Sequence, residues 1–315
     1  MTLRITLATA FACALALGAP KAQAEQFINV LTGGTSGVYY PLGVALSDIY
    51  AKGIEGARTQ VQATKASVEN LNLIQQGKGE IAFTLGDALS FAWTGNAEAG
   101  FKAPLDKLRI VAAIYPNYVQ IAALADSGVT TITDLQGKTL SVGAAKSGTE
   151  LNARAILAAA GLSYEALGKV EYLPFAESVE LMKNRQLEAT LQSSGLGNAA
   201  IKDLASGQAI NIVAVPAEVV AAMGAPYQAA TIPAGTYQGQ AADVPTVAVA
   251  NYLVTSADLP DEVVYQMTKL IFEHLDTLKA AHSAAGAIAL DTAAKAPPIP
   301  LHPGAERFYR EQGKL

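Results

Sequence analysis

Three stretches of this chain join glycine to hydroxyl side chains where a strand-like run gives way to a helix-like one. In the first, Thr35, Ser36 and Gly37 follow Gly33-Gly34 and precede Val38-Tyr39. Glycine lets the backbone approach a bound group, and the unpaired N–H groups of a helix start carry partial positive charge. A turn of this kind binds a carboxylate or phosphate without an arginine. The second stretch is Ser147, Gly148 and Thr149, where Ser147 and Glu150 also fit a capping box. The third opens at Ser67, with Glu69 and Asn70 in its first turn. Each alone also reads as an ordinary helix cap. Three of them at the carboxyl ends of strands point to one cleft, because open α/β sheets bind ligands there.

Catalytic chemistry finds little support. His274, His282 and His302 all lie near the C-terminus without metal-ligand spacing, and Gly33-Gly34-Thr35-Ser36-Gly37 lacks the lysine of a phosphate-binding P-loop. The single cysteine, Cys13, falls in an N-terminal stretch expected to be removed, which excludes thiolate metal sites, cysteine nucleophiles and disulfides from the mature chain. With 22 Lys plus Arg against 27 Asp plus Glu, the net charge of −5 offers no basic field for a nucleic acid. No metal and no cofactor is expected, nor enzymatic turnover.

The elements that must position these turns alternate along the 315 residues. At 51% apolar and 16% charged, the chain can bury a full core and is not disordered. Phe27 to Leu31 reads as a buried strand, followed by a helix with Val38, Leu42, Ala45 and Ile49 on one face. Residues 60–63 read as a strand, 68–76 as a helix and 81–84 as a strand, with two further β/α units over 109–161. Pro260 opens a helix whose stripe is Val264, Met267, Ile271, Leu275 and Leu278. The order argues for an α/β architecture with largely parallel pairing. There is also an internal echo. Ser67-Val68-Glu69 leads through a helix and a strand to the turn Gly86-Asp87, and Ser178-Val179-Glu180 leads likewise to Ser193-Ser194-Gly195, as in two related lobes.

Residues 1–24 have the order of a secretory signal peptide: basic Arg4, an uncharged run over 5–20, then Ala22-Gln23-Ala24 before the expected cleavage. A second uncharged run, 219–242, contains Gly224, Pro226, Pro233, Gly235 and Gly239, which break any helix long enough to span a bilayer. The mature protein is therefore expected to be soluble and periplasmic.

Thr32-Gly33-Gly34-Thr35-Ser36-Gly37-Val38-Tyr39-Tyr40-Pro41-Leu42-Gly43 resembles the signature of the TAXI family, the TRAP-associated extracytoplasmic solute-binding proteins. Further matches are Ser67-Val68-Glu69-Asn70-Leu71, Asp134-Leu135-Gln136-Gly137-Lys138 and Ser147-Gly148-Thr149-Glu150-Leu151-Asn152. The resemblance implies a type II periplasmic binding protein fold, an α/β architecture of two lobes joined by two hinge strands. It also implies a monomer that closes on a small carboxylate, such as glutamate or 2-oxoglutarate, and delivers it to a TRAP permease. An ABC importer, or a membrane sensor kinase to which the chain presents its ligand, remain alternative partners.

Lobe one is expected at 25–118 plus 246–315 and lobe two at 119–245, with hinge strands at 119–124 and 246–254. The expected ligand-binding residues are Thr35, Ser36, Gly37, Tyr39, Lys65, Ser67, Asn70, Gly86, Asp87, Ser147, Gly148, Thr149, Ser193 and Ser194. Two departures from the family pattern bear on the ligand. Thr64-Lys65-Ala66-Ser67 stands where many members have Thr-Gly-Gly-Ser, and Leu85-Gly86-Asp87 where they have Gln-Ser-Asp. Lys65 either points to solvent or meets a second carboxylate of the ligand, and the second reading favours a dicarboxylate.

Overall fold

The structure is a computed structural model that describes residues 25–315. The expected signal peptide at 1–24 and Cys13 lie outside the described residues. The order of elements is β1 (Gln26–Leu31), α1 (Tyr39–Gly53), β2 (Ala57–Gln62), α2 (Ser67–Gln75), β3 (Ile81–Leu85), α3 (Gly86–Thr94) and the long β4 (Leu108–Leu124). There follow β5 (Thr139–Ser141), α4 (Gly148–Ala159), β6 (Lys169–Glu171), α5 (Phe175–Lys183), β7 (Ala189–Ser194), α6 (Ala199–Gly207), β8 (Ile210–Val213), α7 (Ala217–Met223) and β9 (Gln228–Ile232). The chain ends with β10 (Val244–Ser256), α8 (Asp261–Glu273), α9 (Leu275–Ala281) and α10 (Pro303–Glu311).

Among the described residues ten strands form one sheet in the order β2-β1-β3-β10-β4-β7-β5-β6, with β8 on β4 and β9 on β10. β1, β2 and β3 pair in parallel, as do β5, β6 and β7. Between these groups run β4 and β10, antiparallel to each other and to their neighbours. β10 starts against β9 and ends against β3, whereas β4 starts against β10 and ends against β7 and β8. Both strands therefore pass from one parallel group to the other. Each group is covered by helices on both faces, which is why β3 is apolar but for Thr84 and has every residue buried. One group packs Leu42, Tyr50, Phe83, Ile271 and Tyr309 on one face and Leu71, Ile74, Leu89 and Phe101 on the other. The second has Ile121, Leu140, Ile156 and Leu191 opposite Val179, Met182, Ile201 and Leu204. The architecture is a two-lobed, mixed α/β fold.

Two local expectations are corrected. Arg109 does not open a β/α unit. It lies in a 17-residue strand that runs on through Pro116 and Asn117. Pro116 is exposed and sits where the pairing with β10 is irregular, between Ala250 and Tyr252, so its missing N–H costs no ladder bond. The C-terminal apolar stripe likewise spans two helices, α8 and α9, broken at His274. The uncharged run at 219–242 takes in the last five residues of α7 and all of β9, and no helix among the described residues is long and apolar enough to cross a membrane.

Candidate functional site

A cavity of about 120 Å³ lies between the carboxyl ends of the two parallel groups. From one side it is walled by Gly33, Gly34, Gly37, Val38 and Tyr39 after β1, by Thr64 to Ser67 after β2, and by Leu85 at the end of β3. From the other side come Ala144, Ser147, Gly148 and Thr149 before and within the first turn of α4, Pro174 and Phe175 at the start of α5, and Ser193 and Ser194 at the end of β7. Asn117 of β4 completes it.

The Gly33–Tyr39 turn packs close because α1 lies directly on its strand: a Cβ on Gly43 would stand 2.3 Å from Thr32 Cγ2. The helix starts later than the hydroxyls suggested. α1 begins at Tyr39 with Val38 as its cap residue and no side-chain cap, so Thr35 and Ser36 lie upstream of the helix start and neither lines the cavity. Gly37 N instead donates to the Gly34 carbonyl at 3.1 Å, closing the turn on itself. Tyr39 enters the cavity wall and stacks on Phe83 with ring centroids 4.9 Å apart, and burial pushes its hydroxyl pKa up.

Ser67 opens α2 but does not cap it. Its Oγ accepts from Leu85 N at 3.1 Å, tying the helix start to the end of β3. Asn70 lies behind the wall. Fully buried, it donates to the carbonyls of Thr32 at 2.7 Å and Phe83 at 2.8 Å and accepts from Thr64 Oγ1 at 2.6 Å, fastening three loops. Lys65 lines the cavity at an exposed position, and its backbone N–H donates to Glu69 Oε2 at 2.6 Å. Among the described residues its ammonium has no carboxylate at ion-pair distance.

On the opposite side Ser147 Oγ accepts from Glu150 N at 3.1 Å and caps α4. The capping box is only half made: the Glu150 carboxylate turns to Arg154 at 2.7 Å and to Tyr164 at 3.0 Å, because the guanidinium one helical turn on is the stronger partner. Gly148 is where the two sides meet, since a Cβ there would fall 2.6 Å from both Leu85 Cδ1 and Ser67 Oγ.

Gly86 and Asp87 are also outside the wall. Gly86 packs under Tyr252, whose ring a Cβ would meet at 3.0 Å. Asp87 is fully buried and receives Asn152 Nδ2 at 2.5 Å, Tyr227 Oη at 2.8 Å and Ala88 N at 2.8 Å. Burial raises its carboxyl above the usual range, and the bonds from Tyr227, Ala88 and Asn152 partly offset this. Nine of the expected residues thus line the cavity, while Thr35, Ser36, Asn70, Gly86 and Asp87 do not. Asn117 and Phe175 line it unexpectedly. An amide within a largely apolar strand, a feature shared with Gln120, was the signal for Asn117; Phe175 had only its place just ahead of the echoed Ser178.

Among the described residues no group of three or more His, Cys, Asp or Glu could hold a metal. His282 and His302 each accept a backbone N–H at a helix start, from Ala284 at 3.1 Å and from Gly304 at 3.2 Å. What the cavity offers is glycine backbone, hydroxyls, amide groups, two aromatic rings and one cation at the rim. That is equipment for binding, with no nucleophile–base pair in the wall.

Residues 30–313 match the NMT1-like family along nearly the whole described chain. Among solved structures, PhnD1 from Prochlorococcus marinus in complex with methylphosphonate superposes with a TM-score of 0.57 at 12% identity, covering 92% of this chain and 100% of that one. A putative L-cystine ABC transporter protein from Listeria monocytogenes gives 0.52 at 15% identity, covering 85% of this chain and 98% of that one. The family match corrects the resemblance to the TAXI family, and the expected TRAP permease falls with it. Three of the four motifs behind that resemblance are strand-to-helix turns, and Asp134–Lys138 leads into β5; the two-lobed periplasmic-binding-protein fold seen in these superpositions needs such turns whatever transporter is served.

Proposed function

This chain belongs to the NMT1-like family, and from that premise we propose that it is an extracytoplasmic solute-binding protein that holds a small organic anion between its lobes and presents it to an ABC-type importer. The observation that carries the reading is the cavity of about 120 Å³ walled from both sides by strand-to-helix turns, with the uncapped start of α2 facing Gly148 and Thr149 of α4. Amides at helix starts serve a carboxylate, a phosphonate or a sulfonate alike, and the lysine at the rim adds positive charge.

The lobes are assigned to 25–118 plus 246–315 and to 119–245, with the hinge where β4 and β10 cross. The two crossings and the segregation of the cores support that division. Closure would bring two helix starts onto one ligand, so affinity belongs to both lobes. The ABC partner is supported by the name of the Listeria neighbour, and an extracytoplasmic location by the signal-peptide pattern of 1–24.

Native mass spectrometry of the protein as purified, followed by calorimetry with carboxylates, phosphonates and sulfonates, tests this. One anion bound per chain is the expected result. Failure of every anion to bind, or turnover of a bound compound, overturns it.

A further inference from the structure

The cavity wall at Tyr39, Asn117 and Ser193 is backed by a chain of hydrogen bonds in which nearly every proton is committed. Tyr39 Oη donates to Asn251 Oδ1 at 2.5 Å. Asn251 Nδ2 donates to the Tyr115 carbonyl at 3.0 Å and to Asn117 Oδ1 at 3.2 Å. Asn117 Nδ2 donates to Ser193 Oγ at 2.7 Å, and Ser193 Oγ donates to Asn152 Oδ1 at 2.6 Å. The chain ends where Asn152 Nδ2 meets Asp87 Oδ2.

Its direction is set independently at both ends. The Tyr115 carbonyl can only accept, which orients Asn251 and, through it, Asn117. At the other end the ionised Asp87 carboxylate, acceptor on both oxygens, receives three donors, which orients Asn152. Turning over any one amide would oppose N–H to N–H or oxygen to oxygen. The assignment therefore does not depend on the placement of N and O at a single side chain.

The consequence falls on Ser193. Its proton is given to Asn152 and one lone pair is taken by Asn117, so toward the cavity it can act only as an acceptor. Tyr39 Oη has likewise given its proton to Asn251, while Asn117 keeps one amide proton. We propose that Asp87, although outside the cavity, is a positioning residue for specificity. Through Asn152 it fixes Ser193 as an acceptor and so selects small acids that carry an N–H or O–H donor beside the anionic group. The inference rests on the proposed binding function and names the class of ligand for that site.

Replacing the carboxylate by an amide of the same shape reverses the chain locally. With Oδ1 of the new asparagine kept on Ala88 N, its Nδ2 takes the place of Oδ2 and must donate, one proton to Tyr227 Oη, whose own proton rotates away, and one toward Asn152. Asn152 then turns over to accept, its Nδ2 faces Ser193, and the Ser193 proton is released into the cavity.

Calorimetry on matched ligands tests this: propionate against lactate and alanine, succinate against malate and aspartate, methylphosphonate against aminomethylphosphonate. In the unaltered protein the donor-bearing members should bind roughly tenfold more tightly than their parents, as one good hydrogen bond predicts. In Asp87→Asn that ratio should fall about tenfold, an outcome that a merely structural aspartate would not give. Ser193→Ala, which removes the acceptor and keeps the backbone, should bring the ratio near one and serves if Asp87→Asn does not fold. Equal or tighter binding of the parent acids, or a ratio unchanged in either variant, overturns the proposal. Failure of all the acids to bind overturns the binding function itself.

Discussion

Ser67 and Ser147 open the helices on opposite sides of the cavity, and each follows a residue with positive φ, Ala66 at 69° and Lys146 at 63°. Locally the two turns are alike, yet their hydroxyls do different work. Ser147 caps its own helix by accepting from Glu150 N. Ser67 accepts from Leu85 N in the neighbouring strand and leaves α2 without a side-chain cap. One helix start is therefore partly satisfied by its own side chain, while the other keeps its first amides available and is braced from the sheet. The same motif thus supplies a finished cap on one side and an open donor site on the other. The difference comes from what each serine meets in three dimensions.

The largest effect expected from this contrast is on stability. Asn70→Leu removes the amide that fastens the Ser67 side and strands two buried carbonyls, so denaturant unfolding should show a loss on the order of 3 kcal/mol. A loss under about 1 kcal/mol would mean that the brace is not what holds this turn.

Next is the meeting point of the two sides. Gly148→Val places side-chain atoms where Ser67 and Leu85 already stand, so the lobes cannot approach as closely. Calorimetry should show affinity for the anion lowered at least tenfold, about 1.4 kcal/mol, with the melting temperature nearly unchanged. Unchanged affinity would remove the Gly148 turn from the site.

The caps themselves come third. Ser147→Ala should cost about 1 kcal/mol of stability by losing the α4 cap. By contrast, Ala66→Gly should stabilise by about 1 kcal/mol, because φ 69° with ψ −147° suits glycine alone. Equal and opposite thermal shifts in the two variants would sharpen the comparison; destabilisation by Ala66→Gly would break it.

The smallest effect is in pH dependence. Burial raises the Asp87 carboxyl in the folded state, so as pH rises from its ordinary value of 3.8 the unfolded chain releases this proton first. Stability from this group then falls with rising pH until the folded carboxyl has also ionised. The melting temperature of Asp87→Asn relative to the unaltered protein should therefore improve as pH rises through that window. A constant difference would show that the group does not titrate between the two states.

Much of the framework was legible in the residue order. The apolar runs at β1 and β3, the periodicity of α1 and the glycine-hydroxyl turns that line the cavity all follow from local sterics and helix-end chemistry, which act over a few residues. Lys65 was legible only as a pair of alternatives: the structure sets it at the cavity rim, still exposed, and which anion it serves belongs to the binding experiments. Thr35 and Ser36 were misplaced because the turn closes on itself through Gly34 and Gly37 before the helix begins.

What the sequence determined by itself, then, is the alternation of elements and the chemical character of the turns, since both depend on contacts between near neighbours. Only the tertiary structure decided which of these groups face a common space. Asn117 enters the cavity because β4 continues through Pro116 to the carboxyl ends of the parallel groups. Asp87 leaves it because Asn152 and Tyr227, far along the chain, meet it in the interior. Whether a hydroxyl donates or accepts is likewise settled by a buried chain of partners brought together by two crossing strands, and pairing at that range leaves no periodic trace in the order of residues.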